Sequence, residues 1–282
     1  MMSQALDHGI EGGAKIAPQA PRTSGIQVDK VTHSYGPSGK PSVLALNKIS
    51  LDIAETEFHA LLGPSGCGKS TLLYLIGGFL PVQEGTISTP KGLVKGPGPD
   101  RAIVFQNFAL FPWKTVRENV LYGLKKIGLG REEAEERARE YIALVHLTGF
   151  EDAYPSQLSG GMQQRAAIAR TLAVDPKTLL MDEPFGALDA QTRRVMQEEL
   201  RSIWGRTRKT VVFVTHDVQE AVFLADRISI MSSRPGQIEH VLDVPLPKDR
   251  GEEILESPEF IQLSEHIWRL VRAQAIAATR GH

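Results

Sequence analysis

Short apolar runs recur along the chain, and several are followed by segments in which apolar residues recur every three or four positions. Unbroken runs of this length are typical of strands buried on both faces, whereas the longer, spaced pattern is typical of amphipathic helices. The runs predict buried strands at 58–62, 102–105, 178–181, 210–215 and 227–231. The spaced segments predict helices at 72–76, 116–126, 131–147, 159–172 and 189–204.

The patterns near the two ends of the chain are shorter. Residues 1–24 are rich in Gly, Ala and Pro and have no apolar period, which predicts a flexible tail. Ser257 and Pro258 begin a predicted helix that we expect to pack onto the core or onto a second subunit. Its apolar face consists of Phe260, Leu263, Ile267 and Leu270. Further strands are predicted at 26–28, 43–46, 49–53, 86–88 and 237–244, and a turn region at 91–99.

The predicted strand at 58–62 leads into a glycine-rich loop that fits G-x-x-x-x-G-K-[S/T] without a mismatch. Glycines allow backbone N–H groups to converge on phosphate oxygens, and the following helix N-terminus adds positive potential there. Lys69 is expected to bind the β- and γ-phosphates, and the Ser70 hydroxyl to ligate Mg²⁺. The alternative is a glycine turn with a chance lysine. The flanking strand and helix favour a phosphate-binding loop formed by Gly63, Pro64, Ser65, Gly66, Cys67, Gly68, Lys69, Ser70 and Thr71.

Polar residues stand at the ends of three further predicted strands: Gln106 at one, Asp182 and Glu183 at the next, and His216 at the third. Asp182 can hold Mg²⁺, and Glu183 can polarise an attacking water. His216 would lie near a γ-phosphate if these strands share one edge of a parallel sheet, because ligands bind outside the carboxyl ends of such strands. A lone histidine would otherwise be interpreted as structural.

Three other segments each allow two interpretations. Ser159, Gly160 and Gly161 leave bare N–H groups at a helix start, which indicates a second anion site or a plain capped helix. Tyr35, expected in the loop after the first strand, either stacks on a nucleotide base or is a half-buried surface residue. The apolar loop 108–113 either docks another protein or folds back onto the core, since large exposed apolar patches are uncommon on monomers.

Composition narrows the class of protein. With 282 residues, 41% of them hydrophobic, the chain can form one large domain or two small ones with a substantial core. A formal net charge of −1 gives no overall attraction to nucleic acid or acidic lipid. Cys67 is the single cysteine, so no internal disulfide can form, which suits a reducing compartment. We find no run of membrane-span length and no signal-peptide segment, so work at a membrane would need a partner.

Together these motifs resemble those of the ATP-binding subunit of an ABC transporter, in family order and over about residues 26–238. The segment LSGGMQQR at 158–165 resembles the family signature, which other P-loop families lack. The matches to the remaining motifs are the Walker A loop at 63–71, the Q-loop Gln106, Walker B with its catalytic glutamate at 179–183, the D-loop at 188–189, the switch histidine His216 and the adenine-stacking Tyr35.

The resemblance implies an α/β fold with a P-loop NTPase (RecA-like) core, an N-terminal antiparallel β subdomain and an inserted α-helical subdomain at about 107–160. The ATP-binding domain would span 25–240, with a C-terminal extension and helix at 241–282. The implied cofactors are ATP and Mg²⁺, and the implied assembly is a head-to-tail homodimer. The implied catalytic residues are Glu183, His216 and Gln106, and the implied Mg²⁺ ligands are Ser70, Gln106 and Asp182. ATP would contact Tyr35 and residues 63–71 of one copy, and Ser159, Gly160 and Gly161 of the other.

Partners and location are likewise implied by the resemblance. They are transmembrane permease subunits and, indirectly, a solute-binding protein. A groove of the helical subdomain, which contains 108–113, would receive a helix of the permease. The protein would be peripheral at the cytoplasmic face of the bacterial inner membrane, held there only through the permease and without nucleic acid. Residues 111–113 and 244–247 resemble the nitrate, sulfonate, taurine and bicarbonate uptake group. The expected solute is a sulfonate or taurine, then nitrate or bicarbonate, then another small organic solute.

Two other classes of protein compete with this interpretation. The first is an ABC ATPase without a transporter, acting on DNA or the ribosome. The chain has a single cassette, no long heptad stretch and no net basic charge, all of which argue against that class. The second is a small-molecule kinase on a P-loop scaffold, which would leave LSGGMQQR and His216 unexplained.

Overall fold

The computed structural model describes residues 23–36 and 42–280. Of the tail predicted at 1–24, only Thr23 and Ser24 lie within the described residues. The strands are β1 (Ser24–Tyr35), β2 (Val43–Ala54), β3 (Phe58–Leu62), β4 (Glu84–Thr89), β5 (Gly92–Leu93), β6 (Arg101–Val104), β7 (Thr178–Asp182), β8 (Thr210–Thr215), β9 (Arg227–Met231) and β10 (Ile238–Asp243). The α-helices are α1 (Lys69–Gly77), α2 (Val116–Lys126), α3 (Arg131–Leu144), α4 (Gly160–Ala173), α5 (Ala190–Thr207), α6 (Val218–Leu224) and α7 (Pro258–Arg280).

The central sheet has the strand order β10-β9-β3-β8-β7-β6. Its strands run parallel except for β10, which is antiparallel to β9. Every residue of β3, β7 and β8 is buried. Burial on both faces explains why these strands are unbroken apolar runs rather than alternating ones. Because β9, β3, β8, β7 and β6 are parallel, their carboxyl ends lie at one edge of the sheet. This confirms the arrangement that was required for His216 to lie near the phosphate loop.

A second sheet is antiparallel throughout and has the order β2-β1-β4-β5. It corrects two predictions. The strands predicted at 43–46 and 49–53 are one strand, because Lys48 adopts φ 49° at a bulge and the pairing of β2 with β1 continues on both sides. Tyr35 ends β1 instead of lying in the following loop, since it pairs with Val43.

Helices α2, α3 and α4 pack on one another between β6 and β7 in the chain. A capping box formed by Thr115 and Glu118 begins α2. Helix α3 ends at Leu144 and not at 147, because His146 adopts φ 55° and turns the chain. Val145 and Leu147 remain buried after that turn, so the apolar spacing extends beyond the end of the helix.

Helix α7 lies against α6. Helix α6 is only about two turns long, and the apolar pattern did not predict it. The predicted apolar face of α7 packs onto the main core: Phe260 and Ile267 are buried, and Leu263 and Leu270 are half-buried beside them. Strand β10 crosses residue 240, where the predicted ATP-binding domain ends, and the division into domains stays a prediction. Within the described residues, no helix combines the length and apolarity needed to cross a membrane.

Candidate nucleotide-binding site

The glycine-rich loop connects β3 to α1 at the carboxyl edge of the central sheet. Gly66 and Gly68 adopt φ of 76° and 99°, a conformation that other residues rarely adopt. A Cβ on Gly68 would lie 2.5 Å from the Leu46 Cδ2 atom, so β2 also requires glycine there. The loop thus has the backbone freedom and the helix N-terminus that an anion-binding site requires.

Lys69 is buried in the loop although it carries a charge. Its Nζ donates hydrogen bonds to the carbonyls of Gly63 at 2.8 Å and Pro64 at 3.0 Å. Cys67 is buried beside it, and burial raises the pKa of the thiol, which fits a small residue filling a loop position. The Lys69 Nζ also lies 3.9 Å from Cys67 Sγ. A buried lysine whose hydrogen-bond partners are all uncharged is well placed to bind an anion.

The Asp182 carboxylate, at the end of β7, is hydrogen-bonded to two side chains of α1. The Ser70 hydroxyl donates to Asp182 Oδ1 at 2.8 Å, and the Tyr74 hydroxyl donates to Oδ2 at 2.7 Å. Burial and the neighbouring carboxylate raise the pKa of Tyr74 to about 12, so the phenol remains a donor at neutral pH. Tyr74 was not predicted as a site residue, although its i, i+4 spacing from Ser70 puts both on one helix face.

Glu183 and His216 extend from neighbouring strand ends and meet beyond the edge of the sheet. His216 Nδ1 lies 3.2 Å from Glu183 Oε2, and both side chains have access to solvent. Glu183 adopts φ 42°, and its N–H donates to Val214 O at 3.0 Å, which fixes this unusual backbone conformation. A non-glycine residue held at positive φ is often found at functional sites.

Gln106 follows β6 by two positions and is exposed. A Cβ on Gly186 would lie 3.1 Å from the Gln106 amide nitrogen, so this side chain lies against the turn that follows Glu183. Within the described part of the chain, no hydrogen bond joins Gln106 to Ser70 or Asp182. Its predicted roles in catalysis and in Mg²⁺ binding therefore stay predictions.

Tyr35 lies beside the first turn of α1. Its hydroxyl lies 3.2 Å from Thr71 Oγ1, and its side chain is 45% exposed. A cavity of about 190 Å³ opens here, above the loop. It is lined by Tyr35, Val43, Ala45, Gly66, Gly68, Lys69, Ser70, Thr71 and Arg234. The cavity thus lies between an exposed aromatic ring and the phosphate loop, the two surfaces that the base and the phosphates of a nucleotide would contact.

The predicted second anion site is not part of this cavity, whose lining contains no residue of 158–165. Ser159 begins α4, and its hydroxyl accepts a hydrogen bond from the Met162 N–H at 3.3 Å. Ser159 and Gly160 are exposed, whereas Gly161 is buried, and a Cβ on it would lie 2.7 Å from Thr192 Cγ2 of α5. The close approach of α5 explains the glycine at 161, and the exposed helix start remains free to contact a ligand from outside this chain.

The residues at the carboxyl edge of the sheet suit Mg²⁺ that is held partly by a ligand, and not a metal ion that is coordinated by protein side chains alone. In the described residues, no group of three or more His, Cys, Asp or Glu side chains is placed to hold a metal ion. Ser70 and Asp182 offer a hydroxyl and a carboxylate oxygen side by side. Such a small set of oxygen ligands suits Mg²⁺, which is usually bound by one or two protein groups together with substrate phosphates and water.

A parallel sheet with a phosphate loop after one strand and an acidic pair after another defines the class of P-loop nucleotide-binding proteins. The chain belongs to the ABC transporter family, which matches residues 46–186. Its similarity to named ATP-binding proteins shows that it is an ATP-binding subunit of that family.

Curated relatives include import proteins from bacteria. The chain is 49% identical to the nitrate import ATP-binding protein NrtD of Synechocystis sp., over 85% of this chain and 92% of that protein. It is 47% identical to the taurine import ATP-binding protein TauB of Rhizobium johnstonii, over 86% of this chain and 94% of that protein. An uncharacterised ABC transporter ATP-binding protein of Methanocaldococcus jannaschii is also 47% identical, over 90% and 94% of the two chains.

Solved structures agree on the fold. The ATP-binding cassette MJ0796, in a dimeric post-hydrolysis state bound to ADP and Pi, superposes with a TM-score of 0.68 at 35% identity. The match covers 80% of this chain and 99% of the cassette. The α/β fold of an ABC ATPase cassette is thereby confirmed for this chain.

Proposed function

We propose that this chain binds and hydrolyses ATP to drive the import of a small solute through a partner permease. The named relatives that support import are the nitrate and taurine proteins. The protein would be peripheral at the cytoplasmic face of the cell membrane, where the permease holds it, and a solute-binding protein would deliver the solute from the other side. These relatives are named for different solutes, so similarity to them does not select one. The candidates stay in the order that the resemblance implies, with sulfonate or taurine before nitrate or bicarbonate.

The observation that carries the proposal is the meeting of two side-chain pairs at one sheet edge: Ser70 with Asp182 at 2.8 Å, and Glu183 with His216 at 3.2 Å. The first pair and Gln106 would hold Mg²⁺, which when bound neutralises phosphate charge. Lys69 binds the phosphates from within the loop. Glu183 orients and deprotonates the attacking water, and His216 donates a hydrogen bond near the γ-phosphate.

We propose further that two copies form a head-to-tail dimer around two ATP molecules. The exposed start of α4 at Ser159 and Gly160 is not part of this chain's own cavity, so it would cover the nucleotide of the other copy. The dimeric form of the similar cassettes supports this assembly. ATP would then join the two copies, and loss of the γ-phosphate would release them.

The permease is proposed to bind at the apolar loop 108–113. Phe108 and Leu110 pack against the core, so part of the loop folds back. Trp113, in contrast, is 69% exposed, and its ring lies 5.7 Å from that of Phe111, which in turn lies 4.7 Å from Tyr122. An exposed tryptophan supported by two rings is typical of an anchor residue at a protein interface.

Hydrolysis by the purified chain tests the catalytic part of the proposal. Lys69→Ala should abolish ATP binding, while Glu183→Gln should retain binding and reduce hydrolysis by about 10²- to 10⁴-fold, the usual contribution of a general base. Lys91→Ala removes an exposed lysine in the turn between β4 and β5, outside the cavity lining, and serves as the matched control. Hydrolysis at the wild-type rate by the Glu183 variant would contradict the proposed role.

Uptake by the reconstituted transporter tests the docking surface. Trp113→Glu should abolish ATP-driven uptake but preserve ATP binding by the isolated chain, because Trp113 is exposed and does not line the cavity at the phosphate loop. Trp268→Glu, at a tryptophan that is 52% exposed on α7, is the control. Uptake equal to that of the wild type with Trp113→Glu would mean that the loop does not contact the permease.

A further inference from the structure

Arg234 is a cationic residue at the nucleotide cavity that no motif includes. It lines the cavity together with Tyr35 and Thr71. Its guanidinium Nη2 lies 3.6 Å from the position that a Cβ on Gly66 would occupy. A positive charge therefore stands at the outer face of the phosphate loop, whereas Lys69 is enclosed within it.

The backbone that carries Arg234 is fixed to the site. In the turn between β9 and β10, the Gly236 N–H donates to Ala45 O at 2.9 Å, and the Asn47 N–H donates to Gly236 O at 3.0 Å. A Cβ on Gly236 would lie 2.1 Å from the Cys67 carbonyl oxygen. The turn is thus hydrogen-bonded to β2 and packed on the phosphate loop, so the backbone next to Arg234 is held beside the cavity.

The Arg234 guanidinium has no acidic partner among the residues that the structure describes, since no ion pair between those residues includes Arg234. Other arginines near sheet ends do have such partners, for example Arg227 with Asp243 at 3.4 Å. An arginine presents N–H donors in a planar fork that matches two phosphate oxygens at once. An unpaired guanidinium beside a phosphate loop is therefore suited to a polyphosphate.

We propose that Arg234 is a second cation for the phosphate chain of the bound nucleotide, contacting it from the outer face of the loop in the same copy that supplies Lys69. This inference rests on the proposed ATP-binding function. It makes Arg234 a nucleotide-contacting residue with a part in distinguishing nucleoside di- and triphosphates from nucleosides. It gives no role to Arg234 in moving a proton.

The test is a calorimetric titration of the isolated chain with ATP, ADP and adenosine. Arg234→Ala should weaken ATP and ADP binding by about tenfold, as expected for a charge-assisted hydrogen bond that is partly screened by solvent. Adenosine, which lacks phosphates, should bind as it does to the wild type. Arg234→Lys should restore part of the loss, because it keeps the charge but not the fork.

Matched variants separate this inference from the function on which it rests. Arg139→Ala, at an exposed arginine of α3, should bind all three ligands like the wild type. If the wild type binds ATP and Lys69→Ala does not, but Arg234→Ala binds within twofold of the wild type, only the role of Arg234 is overturned. An equal loss for adenosine would also overturn it, since Arg234 would then shape the pocket without contacting phosphate. If the wild type itself fails to bind ATP, both proposals fall.

Discussion

At the residue scale, the site consists of side-chain pairs that lie far apart in sequence and are joined by hydrogen bonds. Ser70 and Asp182 meet because α1 begins beside the carboxyl end of β7, and Glu183 meets His216 because β7 and β8 are neighbours. These contacts orient the carboxylates before any ligand arrives. Such preorganisation is what a site for phosphate chemistry needs, because the barrier then includes less reorientation of charged groups.

Tyr74 is expected to position Asp182 for Mg²⁺. Tyr74→Phe removes the 2.7 Å hydrogen bond to Oδ2 but keeps the ring. The carboxylate should then be less well oriented, and the Mg²⁺ concentration for half-maximal tightening of ATP binding should rise about tenfold, as for other groups that orient metal ligands.

The measurement is a nucleotide titration with and without Mg²⁺. ATP binding without Mg²⁺ should be unchanged, which separates this effect from general damage to the fold. Tyr122→Phe, which alters an exposed tyrosine on α2, is the control. An unchanged Mg²⁺ requirement in Tyr74→Phe would mean that Ser70 alone is enough to orient the carboxylate.

At the scale of elements, the loop before α2 is held by one buried amide. The Asn119 side chain accepts from the Phe111 N–H at 2.9 Å and donates to the carbonyls of Lys114 and Thr115 at 3.1 and 2.9 Å. The side chain is completely buried. It thus fixes the segment that presents Trp113, although Asn119 itself cannot touch a partner.

Asn119→Ala should lower the free energy of unfolding by about 1–3 kcal/mol, because it leaves the partly buried Phe111 N–H without an acceptor. Denaturation in urea measures the loss, and amide exchange at Phe111 should become faster. Asn107→Ala removes an exposed asparagine of the same region and should change the stability by no more than about 0.5 kcal/mol. Equal stability of the two variants would show that the loop does not depend on Asn119.

The junction between β8 and α6 contains a buried carboxyl group, Glu220. Burial raises its pKa above the ordinary 4.5, and hydrogen bonds from Thr215 and Gln197 offset only part of that shift. Because the folded-state pKa is raised, the contribution of Glu220 to stability is full below pH 4.5 and is lost as the pH rises through the folded-state value.

Glu220→Gln removes this titration while keeping the shape of the side chain. The difference in free energy of unfolding between variant and wild type should therefore shift in favour of the variant as the pH is raised from about 4 to 8. Denaturation in urea at several pH values measures it. A difference that stays constant with pH would contradict the raised pKa.

At the scale of the whole molecule, the motifs were predictable because each is local: a loop, an acidic pair or a histidine that directly follows an apolar strand. The parallel sheet then brings these strand ends together. Tyr74, Asn119 and Arg234 could not be assigned in the same way, because their partners lie in other segments. Only the folded chain shows that the turn at Arg234 packs on Cys67 of the phosphate loop.

The arrangement of the two proposed anion sites is also a property of the whole molecule. One is a cavity on the phosphate loop, and the other is the exposed start of α4, which contributes nothing to that cavity. Two copies arranged head to tail would use both sites at once. The chain would therefore be incomplete as an ATPase by itself, and ATP binding would be coupled to assembly.

The mass of the Glu183→Gln variant in solution tests this claim most directly. Light scattering during gel filtration should give about twice the 30.9 kDa of one chain in saturating MgATP, and the single-chain mass without nucleotide. Adding Lys69→Ala to the same variant should abolish the dimer. A Glu183→Gln chain that binds MgATP but keeps the single-chain mass at every concentration tested, alone and on its permease, would contradict the account.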